Sequence, residues 1–304
     1  MTIKALRTPE ERFADIPDFD YPVGYLDDLP GYEGLRIAYV DAGPKHADHT
    51  FLCLHGEPSW SFLYRRMIPA FLESGARVIA PDLLGFGRSD KPVEQSDYSF
   101  HFHRNYLLEL VRRLDLKNIT IVCQDWGGLI GLRLLAEMPD RFARVVTANT
   151  ALPTGDQPMG AAFESWREFS QQSPEFRTGR IVYGGTETKL SEEEVAAYDA
   201  PFPDETFKEG ARQFPMLVPA RPDDPASDPN RAAWSVLKTL NMPFLTAFGS
   251  EDKVMAGVDA VLQRLIPGAQ GQPHVVLPGA GHFLQEDVGD QLADLTCDFI
   301  DATT

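Results

Sequence analysis

The sequence predicts an α/β fold: a mostly parallel central sheet with helices on both faces and a helical cap inserted into it. Three observations carry this expectation. Short apolar, β-branched runs alternate with stretches of helical periodicity through the first half of the chain, which is the pattern of a sheet buried on both faces. The alternation stops near Leu152 and resumes only near Phe244. Between the first two, the run Ile119-Thr120-Ile121-Val122-Cys123-Gln124-Asp125-Trp126-Gly127-Gly128 ends a strand in a sharp turn, and its small residues let a helix start close against the sheet. With 304 residues the chain is long enough for one large core and an insertion.

Taken in order, residues 35–40 and 50–54 read as strands with turn chemistry at Gly43-Pro44 between them. Residues 77–80 form another short strand that runs into the loop Pro81-Asp82-Leu83-Leu84-Gly85-Phe86-Gly87-Arg88-Ser89. Leu107, Leu110 and Leu114 recur at helical spacing and predict a helix over 105–114. A helix over 127–138 follows the turn at Asp125 and stops at Pro139, and 145–149 is the next strand. From 152 to 230 strands vanish and short helical pieces (163–169, 192–198, 206–214) sit among prolines, with 219–225 as a linker or ordered loop. Strands resume at 244–248 and 274–277, and Val288, Leu292, Leu295 and Phe299 mark a last helix. The expected division is a core of 1–151 and 231–304 with a helical cap of 152–230.

The turn at Asp125 has the form of a nucleophile elbow, the signature of the α/β-hydrolase fold, which is usually written G-x-S-x-G. Here a carboxylate stands in the place of the serine. Attack by a carboxylate on an ester or amide gives an anhydride, a poor intermediate. Attack on a saturated carbon gives an ester that water can open. The expected substrates are therefore alkyl halides or epoxides.

Partners for this nucleophile are expected in the order nucleophile, acid, histidine. His282 lies in the glycine-rich run Pro278-Gly279-Ala280-Gly281-His282-Phe283 after the last strand. Asp252 follows the strand over 244–248 in Gly249-Ser250-Glu251-Asp252-Lys253, with Glu251 as its competitor. An acid could also follow the preceding core strand, but that place holds Asn149. Asp125 would attack carbon, His282 would take a proton from water, and Asp252 would orient the imidazole. Cys123, two residues before the turn, should point into the sheet.

The intermediate needs an oxyanion hole, expected from the backbone N–H groups of Trp126 and of Glu57 in His55-Gly56-Glu57-Pro58. Pro58 is a candidate for a cis bond with Glu57. A departing halide needs fixed N–H donors in a dry pocket. The indoles of Trp126 and of Trp166 in the cap are the candidates, whereas Trp60 and Trp234 read as structural. An epoxide would instead need acids for its alkoxide, and Tyr183 and Tyr198 are available for that.

A formal charge of −17 argues against nucleic acid or anionic membranes as partners. No apolar run approaches the roughly 18 residues of a membrane helix. The start, Met1-Thr2-Ile3-Lys4-Ala5-Leu6-Arg7, has no apolar segment of signal-peptide length, so a cytoplasmic protein is expected. Cys53, Cys123 and Cys297 are an odd count in apolar patterns and read as free thiols, neither a disulfide set nor a metal site.

Three segments together resemble the haloalkane dehalogenases: His55-Gly56-Glu57-Pro58-Ser59-Trp60-Ser61, Pro81-Asp82-Leu83-Leu84-Gly85-Phe86-Gly87-Arg88-Ser89-Asp90-Lys91-Pro92 and Gln124-Asp125-Trp126-Gly127-Gly128. The similarity is to the branch with Glu after His-Gly and Asp as the late acid. Asp-Trp-Gly is shared with epoxide hydrolases; Glu57-Pro58 with Gln124 discriminates better. The resemblance implies hydrolysis of a haloalkane to alcohol, halide and a proton through an aspartyl ester, without cofactor or metal; apart from it, a monomer is expected. It implies Asp125, His282 and Asp252 as the triad, Trp126 and Trp166 as the halide pair, and Phe214, Pro215 and Val218 as pocket lining. The alternatives are an epoxide hydrolase with the same triad and a binding protein on a hydrolase fold. The latter has no need of all three triad stations.

Overall fold

The computed structural model describes residues 3–303. Its strands are β1 (Ala5–Leu6), β2 (Val23–Leu26), β3 (Ile37–Ala42), β4 (Thr50–Leu54), β5 (Arg77–Pro81), β6 (Lys91–Pro92), β7 (Ile119–Gln124), β8 (Phe142–Ala148), β9 (Phe244–Gly249) and β10 (Val275–Leu277). Its helices are α1 (Ile68–Glu73), α2 (Phe100–Arg113), α3 (Trp126–Glu137), α4 (Ala161–Gln172), α5 (Thr178–Gly184), α6 (Glu192–Asp199), α7 (Glu209–Leu217), α8 (Ser227–Leu237), α9 (Val258–Leu265) and α10 (Leu284–Ala302).

Eight strands form one sheet in the order β10-β9-β8-β7-β4-β5-β3-β2, while β1 and β6 make a separate antiparallel pair. From β10 to β5 every neighbouring pair is parallel; β3 and β2 extend the edge antiparallel. Every residue of β4 and β7 is buried, as a strand covered on both faces requires. Side chains of β4 alternate between two apolar clusters, Leu52 and Leu54 in one and Phe51 and Cys53 in the other. Full burial of Phe51 alone contributes about 1.5–3 kcal/mol.

The order reverses at β4, with β5 on one side and β7 on the other. Loops leaving the carboxyl ends of β4 and β7 therefore face each other across a crevice, the place where such sheets bind ligands. This topology brings Glu57 beside Asp125.

Between β8 and β9 the described residues contain only helices, α4 to α8, with short turns. The boundary expected at 230 falls inside α8. That helix packs on α3 of the core, where Arg133 donates to the Asn230 amide oxygen at 3.0 Å and the Trp234 indole donates to the Leu152 carbonyl at 2.8 Å. On the other side of the insertion a buried network ties α6 to the core. Arg65 bonds both Glu194 (2.6 Å) and Glu286 (2.7 Å), and the Tyr198 hydroxyl also donates to Glu286. No helix among the described residues is long and apolar enough to cross a membrane.

Candidate active site

At the end of β7 the chain turns through Asp125 at φ 50° and ψ −126°. For a non-glycine residue this conformation costs roughly 1–3 kcal/mol and persists only where the surroundings enforce it. The enforcement is visible. The Asp125 N–H donates to the Asn149 carbonyl at 3.1 Å, and the Thr150 hydroxyl donates to the Asp125 carbonyl at 2.7 Å. A Cβ on Gly127 would strike the Leu54 carbonyl, so glycine lets α3 begin against β4. Asp125 Oδ1 accepts the Glu57 N–H at 2.8 Å, and the Glu57-Pro58 peptide that follows is cis.

His282 follows β10. Its Nδ1 lies 2.8 Å from Asp252 Oδ2 and its Nε2 lies 3.6 Å from Asp125 Oδ2. The three residues named from the sequence therefore meet at one edge of the sheet. Asp252 is buried and its Oδ1 accepts the N–H of Val254 at 2.9 Å. Glu251 is exposed and accepts a bond from Ser250, so it is no competitor. Burial lowers the affinity of His282 for a proton, but the charges and hydrogen bonds of Asp252 and Asp125 outweigh it and push the imidazole up to about 10. Burial likewise raises the Asp252 carboxyl, and is outweighed by His282 and the backbone amides, so that it lies below its ordinary value.

Two residues hold the His282 loop, and sequence reasoning gave neither of them this part. The Asn149 amide donates to the carbonyls of Gly281 (2.8 Å) and His282 (3.0 Å) and accepts the Gly249 N–H at 2.8 Å. The place that cannot supply a charge thus supplies a clamp between the loops after β9 and β10. Gln124, buried at the end of β7, donates to the His282 carbonyl at 3.1 Å and brings its Nε2 within 3.2 Å of the imidazole Nε2. Its sequence signals are its place directly before Asp125 and its part in the family resemblance, neither of which shows this contact.

Above this edge lies a cavity of about 760 Å³. The core contributes Glu57, Asp125, Trp126, Leu129 and His282; the insertion contributes Phe163, Trp166, Phe169, Pro215 and Val218. Both candidate halide donors therefore face one chamber, where the Trp166 indole acts on the Glu57 carboxyl. Phe214 does not line it. The period of α7 turns this ring inward, fully buried, against Trp126 at 4.7 Å and Phe86 at 4.8 Å between ring centres. Trp60 and Trp234 spend their indole N–H groups on the carbonyls of Ala197 and Leu152. Cys123 is buried with its sulfur 3.7 Å from the Val146 carbonyl, and burial pushes its thiol up to about 12. Neither Tyr183 nor Tyr198 lies on the chamber wall, and the Tyr198 hydroxyl is engaged by Glu286.

Comparison with known proteins agrees with this geometry. A family model of the alpha/beta hydrolase fold matches residues 49–287. The chain is 55% identical to a haloalkane dehalogenase of Psychrobacter cryohalolentis over 98% of both chains. It is 47% identical to one of Mycolicibacterium paratuberculosis over 95% of this chain and 96% of the relative. Among solved structures, the tetrameric haloalkane dehalogenase DpaA from Paraglaciecola agarilytica superposes with a TM-score of 0.91 at 44% identity, covering 96% of this chain and 97% of that one. With an Asp elbow, a histidine and a second Asp on one sheet edge, and relatives of this closeness along nearly its whole length, the chain belongs to the haloalkane dehalogenases of the α/β-hydrolase fold.

Proposed function

We propose that Asp125, His282 and Asp252 carry out the reaction of that family in this chain: hydrolysis of a haloalkane to alcohol, halide and a proton. Asp125 Oδ1 is occupied by the Glu57 N–H, which leaves Oδ2 as the attacking oxygen. Its lone pair forms the new C–O bond as the C–X bond breaks in line, and that bonding pair leaves with the halide. The indoles of Trp126 and Trp166 take the anion in an apolar chamber, where fixed donors act more strongly than in water. The product of this step is an alkyl ester on Asp125.

Alkylation removes the Asp125 charge that helps to hold the His282 imidazole protonated, so the ring sheds that proton to solvent. Nε2 then accepts a proton from water, and the water oxygen adds to the ester carbonyl carbon. Negative charge collects on Oδ1, where the N–H groups of Glu57 and Trp126 form the oxyanion hole. The ester C–O bond to Cγ breaks, the alcohol leaves with the proton of the imidazolium, and Asp125, left as the acid, gives its proton to solvent and is a carboxylate again. Asp252 steadies the imidazolium while it lasts. The inserted helices serve as the cap that keeps bulk water from the ester, and Pro215 and Val218 bound the space left for the alkyl chain.

The observation that carries this reading is the pair of contacts on one carboxylate: an N–H donor on Oδ1 and an imidazole nitrogen 3.6 Å from Oδ2. The test is halide release from short bromo- and chloroalkanes. Asp125→Ala should lower it about 10⁴-fold or more. His282→Ala should still be alkylated, and mass spectrometry should find the chain heavier by one alkyl group. Turnover of epoxides with no halide release would transfer the assignment to epoxide hydrolysis. A monomeric, cytoplasmic protein remains the expectation, and sedimentation and cell fractionation test it; the tetrameric Paraglaciecola relative makes the first measurement informative.

A further inference from the structure

The oxyanion hole uses only the backbone of Glu57, yet its side chain also belongs to the reaction chamber. The residue is 4% exposed and lies on the chamber wall with Asp125, Trp126, Trp166 and His282. Carboxyl oxygen Oε1 is buried and has no hydrogen-bond partner among the described residues. The groups acting on the carboxyl are the Trp166 indole and the charged side chains of Asp125 and His282. An unpartnered oxygen in this place is costly, and natural structures keep such atoms for a reason.

Ionised, Glu57 would be a second anion facing Asp125 in an apolar chamber, and it would repel the halide that the first step creates. As a neutral acid it has an O–H to give, and the buried, unpartnered Oε1 leaves that donor free for a ligand. We propose that Glu57 is a carboxylic acid whose O–H is a third hydrogen-bond donor to the departing halide, beside the indoles of Trp126 and Trp166. The inference rests on the halide site assigned above. No proton is transferred, because a halide ion is too weak a base to take it; the bond is a charge-assisted O–H···X⁻ contact. A donor that gains its acceptor only as the C–X bond breaks favours the transition state over the bound substrate. Burial, and after it the Asp125 charge, push the Glu57 carboxyl well above the usual range; His282 and the Trp166 indole act in the opposite sense and are outweighed.

The test uses the whole protein, with bromide affinity read by quenching of tryptophan fluorescence and bromoalkane turnover measured alongside. Glu57→Leu should weaken bromide binding about ten- to hundredfold, the value of a hydrogen bond to a charged group. Glu57→Gln, a neutral donor of nearly the same shape, should restore most of that affinity. Bromide affinity of the unaltered protein should fall as pH rises through the titration of Glu57, and that fall should be missing in Glu57→Gln. Asp125 and His282 are the charged groups facing this position, so the profile is compared between the two proteins and not read alone. Tighter binding in Glu57→Gln would mean that the native side chain is an anion, and equal binding in Glu57→Leu would mean that it does not touch the halide; either overturns the proposal while leaving halide release intact. No halide release by the unaltered protein overturns it together with the assignment beneath it.

Discussion

The sheet edge and the inserted helices build one chamber by different means. At the edge, Asp125, Asp252 and His282 each follow the end of a parallel strand, and hydrogen bonds to the local backbone fix them. Asp125 is held by Asn149 and Thr150, and the His282 loop by Asn149 and Gln124. In the insertion, a side chain reaches the chamber only because its helix packs with a particular face downward. Trp166 rests on Phe169 and Phe176, each about 5.7 Å away, and Phe169 is itself 43% exposed. Strand ends determine position through topology, whereas helix faces determine it through packing against neighbours distant in sequence. The first region should therefore fail sharply when altered, and the second by degrees.

Asp252→Asn strikes the edge and, after Asp125→Ala, carries the largest expected effect. Loss of the charge should reduce steady-state turnover about 10³- to 10⁴-fold, because the imidazole loses its orienting anion. Asp252 is the leading cause that raises His282, so its removal should lower the imidazole pKa from about 10. The acid limb of ester hydrolysis should then move to lower pH even as the rate falls. The sign for stability follows. A raised His282 stabilises the folded state fully below its unfolded value near 6.5 and loses that contribution as pH climbs through about 10. A lowered Asp252 contributes above the ordinary carboxylate range and loses that contribution on acidification. The melting-temperature deficit of the variant should therefore be greatest in the mildly acidic window between these limits and shrink toward pH 10. A deficit that grows with pH would sink the ion-pair account.

Trp166→Phe strikes the insertion and should cost less. It removes one indole N–H but leaves Trp126 and the triad, so bromide binding should weaken about ten- to hundredfold while the ester still forms and hydrolyses. A loss as deep as that of Asp252→Asn would erase the contrast between the two regions.

The same contrast explains what could be read from the chain itself. Asp125, Asp252 and His282 were legible because each follows an apolar strand run, and parallel strands deliver their carboxyl ends to one edge. Asn149 was seen but given no task, because its value lies in three loops that only the folded sheet brings together. β2 escaped notice because Val23-Gly24-Tyr25-Leu26 has only a half-buried pattern and lies on the sheet edge. α5 and α9 are only seven and eight residues long, too short for periodicity to stand out. On α7 the residue types indicated a buried face but not what that face meets. Phe214, taken as pocket lining, turned out to support Trp126 from behind, while Pro215 and Val218 reach the cavity.

That correction supplies the smallest prediction. Phe214→Leu keeps an apolar side chain of similar reach, so stability should drop by about 1 kcal/mol or less. Trp126 loses its aromatic neighbour at 4.7 Å, so bromide affinity should fall only a few-fold, well short of Trp166→Phe. Preference among bromoalkanes of different length should stay as it is, because the ring has no surface in the cavity. Val218→Phe should do the reverse, shifting preference toward shorter chains with little change in bromide affinity. A chain-length shift in Phe214→Leu would return this residue to the pocket wall and would mean that α7 rotates when substrate enters.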